Sequence, residues 1–326
     1  MAGGQVFGVP AYGGRLAQDR LSKKFRAVAQ EKMRWRQFSV KQNDFGKGQG
    51  QILLFNKRLN LDSDPSGGFI IAERAKVPSS GYKILQGQCV ARTSAHKVPY
   101  TEEAEVYSEF SLDKENREVL TDAMAKALNN RTKDEFWATN VAYTPTGTDG
   151  APIGSWDVDG TVSNTATRDV QIFDLKNIVD ALEEGDYGGN ASAPAPYYDG
   201  ANYQQIAAVS TLRAYKDDPE WEDAARFGSP DRLWSGEKGR IYSCRSVADN
   251  HILGKLGGTY KGESVIFGKD PVMECIAVPE EIRMEIPTDL ARDKAIGCIY
   301  IGGFKLVWEY NATTEPDNRV VKIASA

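Results

Sequence analysis

The stretch from Asp113 to Trp137, DKENREVLTDAMAKALNNRTKDEFW, constrains the fold more than any other part of the chain. Its apolar residues fall at Val119, Leu120, Ala123, Met124, Ala127 and Leu128, a ladder that lies along one side of an α-helix. Asp113 stands where an N-cap is expected, and Glu115, Arg117, Glu118, Asp122 and Lys126 form the polar side. Neither Pro nor Gly interrupts the run. At about 1.5 Å per residue it would extend roughly 35–40 Å, long beside a mean helix of about 11–12 residues. It reads either as an ordinary long core helix or as a spine, with a basic extended region before it and a compact α+β body after it.

Charge is divided along the same line. Residues 1–60 hold 12 Lys or Arg and 3 acids, so the remaining chain carries a net −14 within a total of −5. The pattern RLAQDRLSKKFRAVAQEKMRWRQFSV over 15–40 predicts a basic amphipathic helix interleaved with Phe25, Met33, Trp35 and Phe38. A surface helix of its own domain, an arm on a neighbour, and a segment lying on membrane or nucleic acid all fit this composition. With 326 residues the chain has room for two domains.

Further along, Gln51–Asn56 predicts a strand. Residues 57–94 alternate short β-like runs with turn clusters at 62–68 and 78–81, which together read as a long two-stranded excursion. Such a hairpin is marginal alone and needs partners for its faces. Residues 139–170 are rich in Gly and Thr and read as surface loop with room for a short strand. A second helix is expected over 174–182 and a buried strand over 204–209, followed by short helices at 211–215 and 220–226. The C-terminal part reads as β-rich: 263–267, 272–278, 282–286, 295–301, 304–308 and 319–323. Gly302-Gly303 is taken as a hairpin turn.

The sequence offers little for catalysis. The two histidines, His96 and His251, have no second His or Cys at ligand spacing, so no metal site is expected. No HExxH, GxSxG, P-loop or strand–GxGxxG–helix unit is present. Carboxylate pairs such as Glu102-Glu103, Glu183-Glu184 and Glu280-Glu281 read as solvated surface, and a carboxylate hydrolase is the weakest reading. No cofactor is expected. Cys89, Cys244, Cys275 and Cys298 lack CxxC spacing. With no signal-peptide pattern after Met1, they predict four free thiols of a protein made in a reducing cytoplasm. No apolar run of membrane-spanning length occurs.

The order of parts resembles the major capsid protein of tailed bacteriophages, and the C-terminal half resembles the N4-like phage capsids. The likeness rests on Phe173–Leu182, the strand 205–209 running into Thr211-Leu-Arg213, Trp221, the turn Gly236-Glu-Lys-Gly-Arg-Ile241, Val272–Val278 and Gly297–Trp308. It implies an α+β capsid fold with a basic N-terminal arm over 1–45 and an extended β loop over 46–98. A peripheral domain would comprise 99–140 and 261–326 with the spine helix 113–137, and an axial α+β domain would comprise 141–260. It also implies a non-enzymatic shell subunit that assembles with itself into hexamers and pentamers around double-stranded DNA, bound by proximity without sequence recognition. A separate scaffolding protein, a portal protein and a decoration protein are the further partners, with assembly in the host cytoplasm and a final place in the virion.

On that reading Arg26, Arg34, Trp35, Arg36 and Phe38 grip the next subunit. Lys57, Arg58, Arg74 and Lys76 make the extended-loop contacts, and Trp234, Gly236, Glu237, Gly239 and Arg240 form an axial-domain turn. Deleting 1–40 is then expected to spare the fold and abolish assembly. The different class that competes is a secreted or surface β-rich binding module, such as a carbohydrate-binding adhesin, which the Tyr and Trp content permits.

Overall fold

The computed structural model describes residues 33–42, 50–61, 70–108 apart from 72, 78 and 80, 111–219, 240–252, 255–286, 292–311 and 314–326. A 3-10 turn at Trp35–Phe38 leads into β1 (Val40–Gln42). The hairpin strands β2 (Ile52–Leu61) and β3 (Tyr82–Val90) come next, then β4 (Arg92–Thr101), α1 (Glu102–Tyr107) and α2 (Leu112–Trp137). The body contains β5 (Ala142–Thr148), β6 (Ala151–Asp157), α3 (Ile172–Glu184), β7 (Tyr203–Ala208), α4 (Val209–Lys216), β8 (Arg240–Ile241), β9 (Cys244–Asp249), β10 (Lys255–Leu256), β11 (Tyr260–Lys261) and β12 (Ser264–Phe267). The long strands β13 (Val272–Met284) and β14 (Asp293–Leu306) and the short β15 (Val320–Ile323) complete it.

Two sheets carry the architecture. One runs β1-β13-β14-β4, and the other runs β6-β5-β15-β12-β7-β9-β8. The central strands of the second sheet are buried on both faces, which is why they read as unbroken apolar runs rather than as alternation. Along β12, Val265 and Phe267 enter one core while Ile266 enters the other; along β7, Ile206 and Ala207 divide in the same way. The core on one side of this sheet gathers Leu175, Ile178 and Leu182 of α3. The core on the other gathers Leu120, Met124, Leu128 and Phe136 of α2 together with Ile296, Tyr300 and Leu306 of β14. The long helix is thus packed between the two sheets.

Its details differ from the sequence expectation. The helix starts at Leu112 with Ser111 at the N-cap position. Asp113 therefore lies in the first turn, where its carboxylate accepts from Arg117 at 2.9 Å and complements the helix dipole. The buried side is Leu120, Met124, Leu128, Asn129, Thr132 and Phe136, whereas Val119, Ala123 and Ala127 are exposed. The i, i+4, i+8 half of the ladder faces the sheets and drifts toward Phe136, and polar Asn129 and Thr132 enter the core because each has a partner there. Exposure makes Ala127 a clean test of helicity. Ala127→Pro removes a backbone hydrogen bond and is expected to cost about 3 kcal/mol in urea unfolding, while Ala127→Lys stays within about 0.5 kcal/mol.

Four further expectations change. The segment 15–40 does not continue as α-helix through its end: Trp35–Phe38 is a 3-10 turn and Val40–Gln42 pairs in parallel with β13. The part of the predicted helix before residue 33, and the predicted helix at 220–226, lie outside the described residues. Residues 142–157 form the two-stranded hairpin β5–β6 rather than loop with at most one short strand, its seven paired positions running from Ala142↔Asp157 to Thr148↔Ala151. Gly302-Gly303 is not a turn. β14 passes straight through it, because a Cβ at Gly302 would stand 2.5 Å from the Cys275 carbonyl oxygen and one at Gly303 2.3 Å from that of Val90. These glycines let neighbouring backbone approach a continuous strand. β4, unexpected from its polar sequence, is an edge strand, the setting that tolerates Pro99.

Candidate intersubunit surfaces

The segment expected to grip a neighbour is bound to its own body. Trp35 is fully buried, its ring 5.3 Å from Phe136, and its backbone N–H donates to Asn129 Oδ1 at 3.0 Å. Phe38 packs edge-on against Phe267 at 5.3 Å and Tyr198 at 5.7 Å. Arg36 donates to the buried carboxylate of Glu274, 2.7 Å at the shortest, and also pairs with Glu280. Tyr300 Oη donates to the same Glu274 at 2.9 Å. Burial opposes ionisation of Glu280, yet the bond and charge of Arg36, a backbone hydrogen bond and the charge of Lys41 together hold the carboxyl below its ordinary range. Trp35, Arg36 and Phe38 therefore dock on their own subunit. Trp35, fully buried there, has no apolar area left for a neighbour, whereas Arg36 and Phe38 are part-buried. Arg34 is exposed, and Arg26 lies outside the described residues.

The hairpin β2–β3 is the second surface. Its pairing puts Leu53 opposite Cys89, Phe55 opposite Gly87 and Lys57 opposite Leu85 on one face; Ile52 opposite Val90 and Arg58 opposite Ile84 are on the other. The first face turns to the body. The Phe55 ring lies over Gly87, where a Cβ would come within 2.2 Å of it, so only glycine fits. Lys57 is buried and donates to Glu315 at 2.5 Å, and its ammonium stands 5.8 Å from the centre of the Trp308 ring, which also carries Arg319 at 4.0 Å. Burial pushes the Glu315 carboxyl above its ordinary range even with Lys57 beside it. Lys57 is thus an anchor of the hairpin on its own subunit rather than an outward contact. Lys57→Met should lower stability by about 1–3 kcal/mol by stranding a largely buried carboxylate. Amide hydrogen exchange in β2 should accelerate with it.

Among the described residues nothing covers the opposite face. Leu54 is 59% exposed, Tyr82 59%, Ile84 56% and Ile52 48%, with Arg58 beside them. Arg74 and Lys76, between the two strands, are also exposed. Of the expected axial turn, Arg240 pairs through its backbone with Arg245 at the end of the seven-stranded sheet, and Trp234, Gly236, Glu237 and Gly239 lie outside the described residues.

Sequence reasoning passed over one buried polar centre. Asp174, at the start of α3, accepts from both terminal nitrogens of Arg168 at 2.5 and 2.6 Å, from Tyr143 Oη at 2.7 Å and from the Gln171 backbone N–H at 2.8 Å. Arg168 spends further donors on the carbonyls of Thr146 and Ile153, tying the β5–β6 hairpin to α3. Burial and the adjacent Asp174 carboxylate raise the Tyr143 phenol well above its ordinary value. The arrangement is saturated with internal bonds and works as a structural clamp. Its one sequence signal is an acid three residues after Gln171 at a helix start, the spacing of a capping box. Among the described residues no group of three or more His, Cys, Asp or Glu is placed to hold a metal ion, and no helix is long and apolar enough to cross a membrane.

A two-sheet body with a long helix between the sheets and a hairpin projecting one apolar face defines an α+β fold. The solved structures make this particular: the fold is that of phage capsid proteins. A chain of the acid-stable capsid of Helicobacter pylori bacteriophage KHP30 superposes with a TM-score of 0.68 at 10% identity over 98% of both chains. One from the cyanophage Pam1 capsid gives 0.67 at 14% identity over 100% of both. One from the capsid of Ralstonia phage GP4 gives 0.62 at 13% identity over 98% of this chain and 99% of that one. No family model matches the sequence, and no curated protein matches it.

Proposed function

We propose that this chain is the major structural subunit of an icosahedral phage head, assembling with itself into hexamers and pentamers around packaged double-stranded DNA, and that it is not an enzyme. The observation that carries the reading is the uncovered apolar face of β2–β3, on a fold shared end to end with capsid chains. Ile52, Leu54, Tyr82 and Ile84 line a two-stranded ribbon that a subunit alone leaves in water, and contiguous exposed apolar surface of this kind marks an interaction site. The ribbon, within 46–98, lies over the adjacent subunit. Residues 99–140 and 261–326 form the peripheral domain and 141–260 the axial domain, which meets its copies at the capsomer centre; within 1–45, the part before residue 33 is left as the arm. The N4-like subfamily is supported by Phe173–Leu182 as helix α3 and by the strand 205–209 passing into a helix at Thr211. Scaffolding, portal and decoration proteins are the further partners, and the host cytoplasm is the place of assembly.

The test separates folding from assembly. Leu54→Asp with Ile84→Asp places charge on the outward face alone. The double variant should melt within about 1–2 °C of the parent, since surface substitutions cost within about 0.5 kcal/mol. In negative-stain images it should form no capsomers or shells under conditions where the parent, with its co-expressed assembly partners, does. Wild-type particle yield from the double variant would overturn the assignment of this face. A parent that stays monomeric under all such conditions, with glycan binding in its place, would favour the adhesin reading.

A further inference from the structure

Cys89 and Cys275 are both fully buried, and their sulfur atoms lie 2.8 Å apart. They come from elements 186 positions apart in the chain. Cys89 sits in β3 at the base of the hairpin, opposite Leu53, and Cys275 sits in β13 opposite Gly303. The missing side chain at Gly303 makes room for the meeting, because a Cβ there would stand 3.1 Å from Cys89 Sγ. Cys244 and Cys298 belong to the two other cores, and the Cys298 thiol donates to the His96 carbonyl at 3.6 Å. The pairing is one that spacing in the sequence does not suggest.

We infer that Cys89 and Cys275 form an oxidative cross-linking site, at which a peroxide converts the two thiols into one disulfide that ties the base of the hairpin to the four-stranded sheet. Either sulfur can donate in this contact. The contact holds the Cys275 thiol below its ordinary range and raises that of Cys89, which favours Cys275 as the nucleophile. Its thiolate attacks one peroxide oxygen, the O–O bond breaks, and the departing hydroxide takes a proton to leave as water, with a sulfenic acid left on Cys275. Cys89 sulfur then attacks Cys275 sulfur; the S–S bond forms, the S–O bond breaks, and the hydroxide leaves as a second water with the Cys89 proton. Two thiols and one hydrogen peroxide become one disulfide and two waters, and the two electrons end on the peroxide oxygens. An open cavity of about 510 Å³ lined by Gln88, Val90, Arg131 and Phe304 lies beside the hairpin base, although neither buried thiol lines it. The site belongs to a single subunit and does not depend on the shell reading.

The experiment treats the purified full-length chain with hydrogen peroxide, alkylates it, digests it with trypsin and maps it without reduction. The expected product joins residues 84–92 to 270–283, about 2 Da below the sum of the two peptides. Alkylation is lost at Cys89 and Cys275 together and retained at Cys244 and Cys298, and dithiothreitol reverses the change. Mixing isotopically heavy and light chains before oxidation should give light–light and heavy–heavy pairs only. Sulfinic acid on Cys275 in place of the linked peptide, linkage to Cys244 or Cys298, light–heavy pairs, or full alkylation of Cys89 and Cys275 would each overturn the inference.

Discussion

Replacing Trp35 with alanine should lower the unfolding free energy by about 3–5 kcal/mol, the cost of emptying a fully buried aromatic site. The ring is enclosed by Phe136 in a cluster that continues through Phe267 to Phe38 and Tyr198. No neighbouring side chain can collapse into its place without breaking those contacts. Urea titration of the isolated subunit measures the loss, and Arg34→Ala, at the exposed position just before the 3-10 turn, should stay within about 0.5 kcal/mol. Removal of residues 1–40 deletes Trp35, Phe38 and the Arg36–Glu274 pair, so this truncation should fold poorly rather than melt normally. That reverses the expectation drawn from composition, which treated the whole basic region as a detachable arm. A 1–40 truncation that melts within about 2 °C of the full chain would show that the segment's docking contributes nothing.

Asp174→Ala should cost a comparable amount, about 3–5 kcal/mol, because it leaves the Arg168 guanidinium buried without its carboxylate. It also removes the acceptor for Tyr143 and for the backbone N–H of Gln171, the N-cap residue of α3. Asp174→Asn, which keeps the shape and part of the hydrogen bonding, should lose less. Thermal unfolding of both variants beside the parent gives the order, and equal losses would indicate that packing rather than charge holds this centre. Both predictions concern the subunit alone and can be read before any assembly is attempted.

The sequence by itself determined the elements whose signal is local. α2 and α3 announce themselves through 3.6-residue periodicity, and strands such as Tyr203–Ala208, Ser264–Phe267 and Val320–Ile323 through short apolar runs, since each has both faces buried whatever its neighbours are. The division into a basic beginning and an acidic remainder is likewise a property of composition. Tertiary structure alone decided the questions that depend on distant partners. Val119, Ala123 and Ala127 are as apolar as the residues beside them, yet only Leu120, Met124 and Leu128 face the sheets, because the helix's rotation is set by what it lies on. Gly302-Gly303 has the form of a turn and is instead a straight strand, because Val90 and the Cys275 carbonyl press against it from other elements. Trp35 and Lys57 carry the marks of outward contacts and are buried at home, each held by a partner far along the chain, Asn129 in one case and Glu315 in the other. Periodicity reports the environment a residue needs; which element supplies it is settled by packing among segments that no local pattern connects.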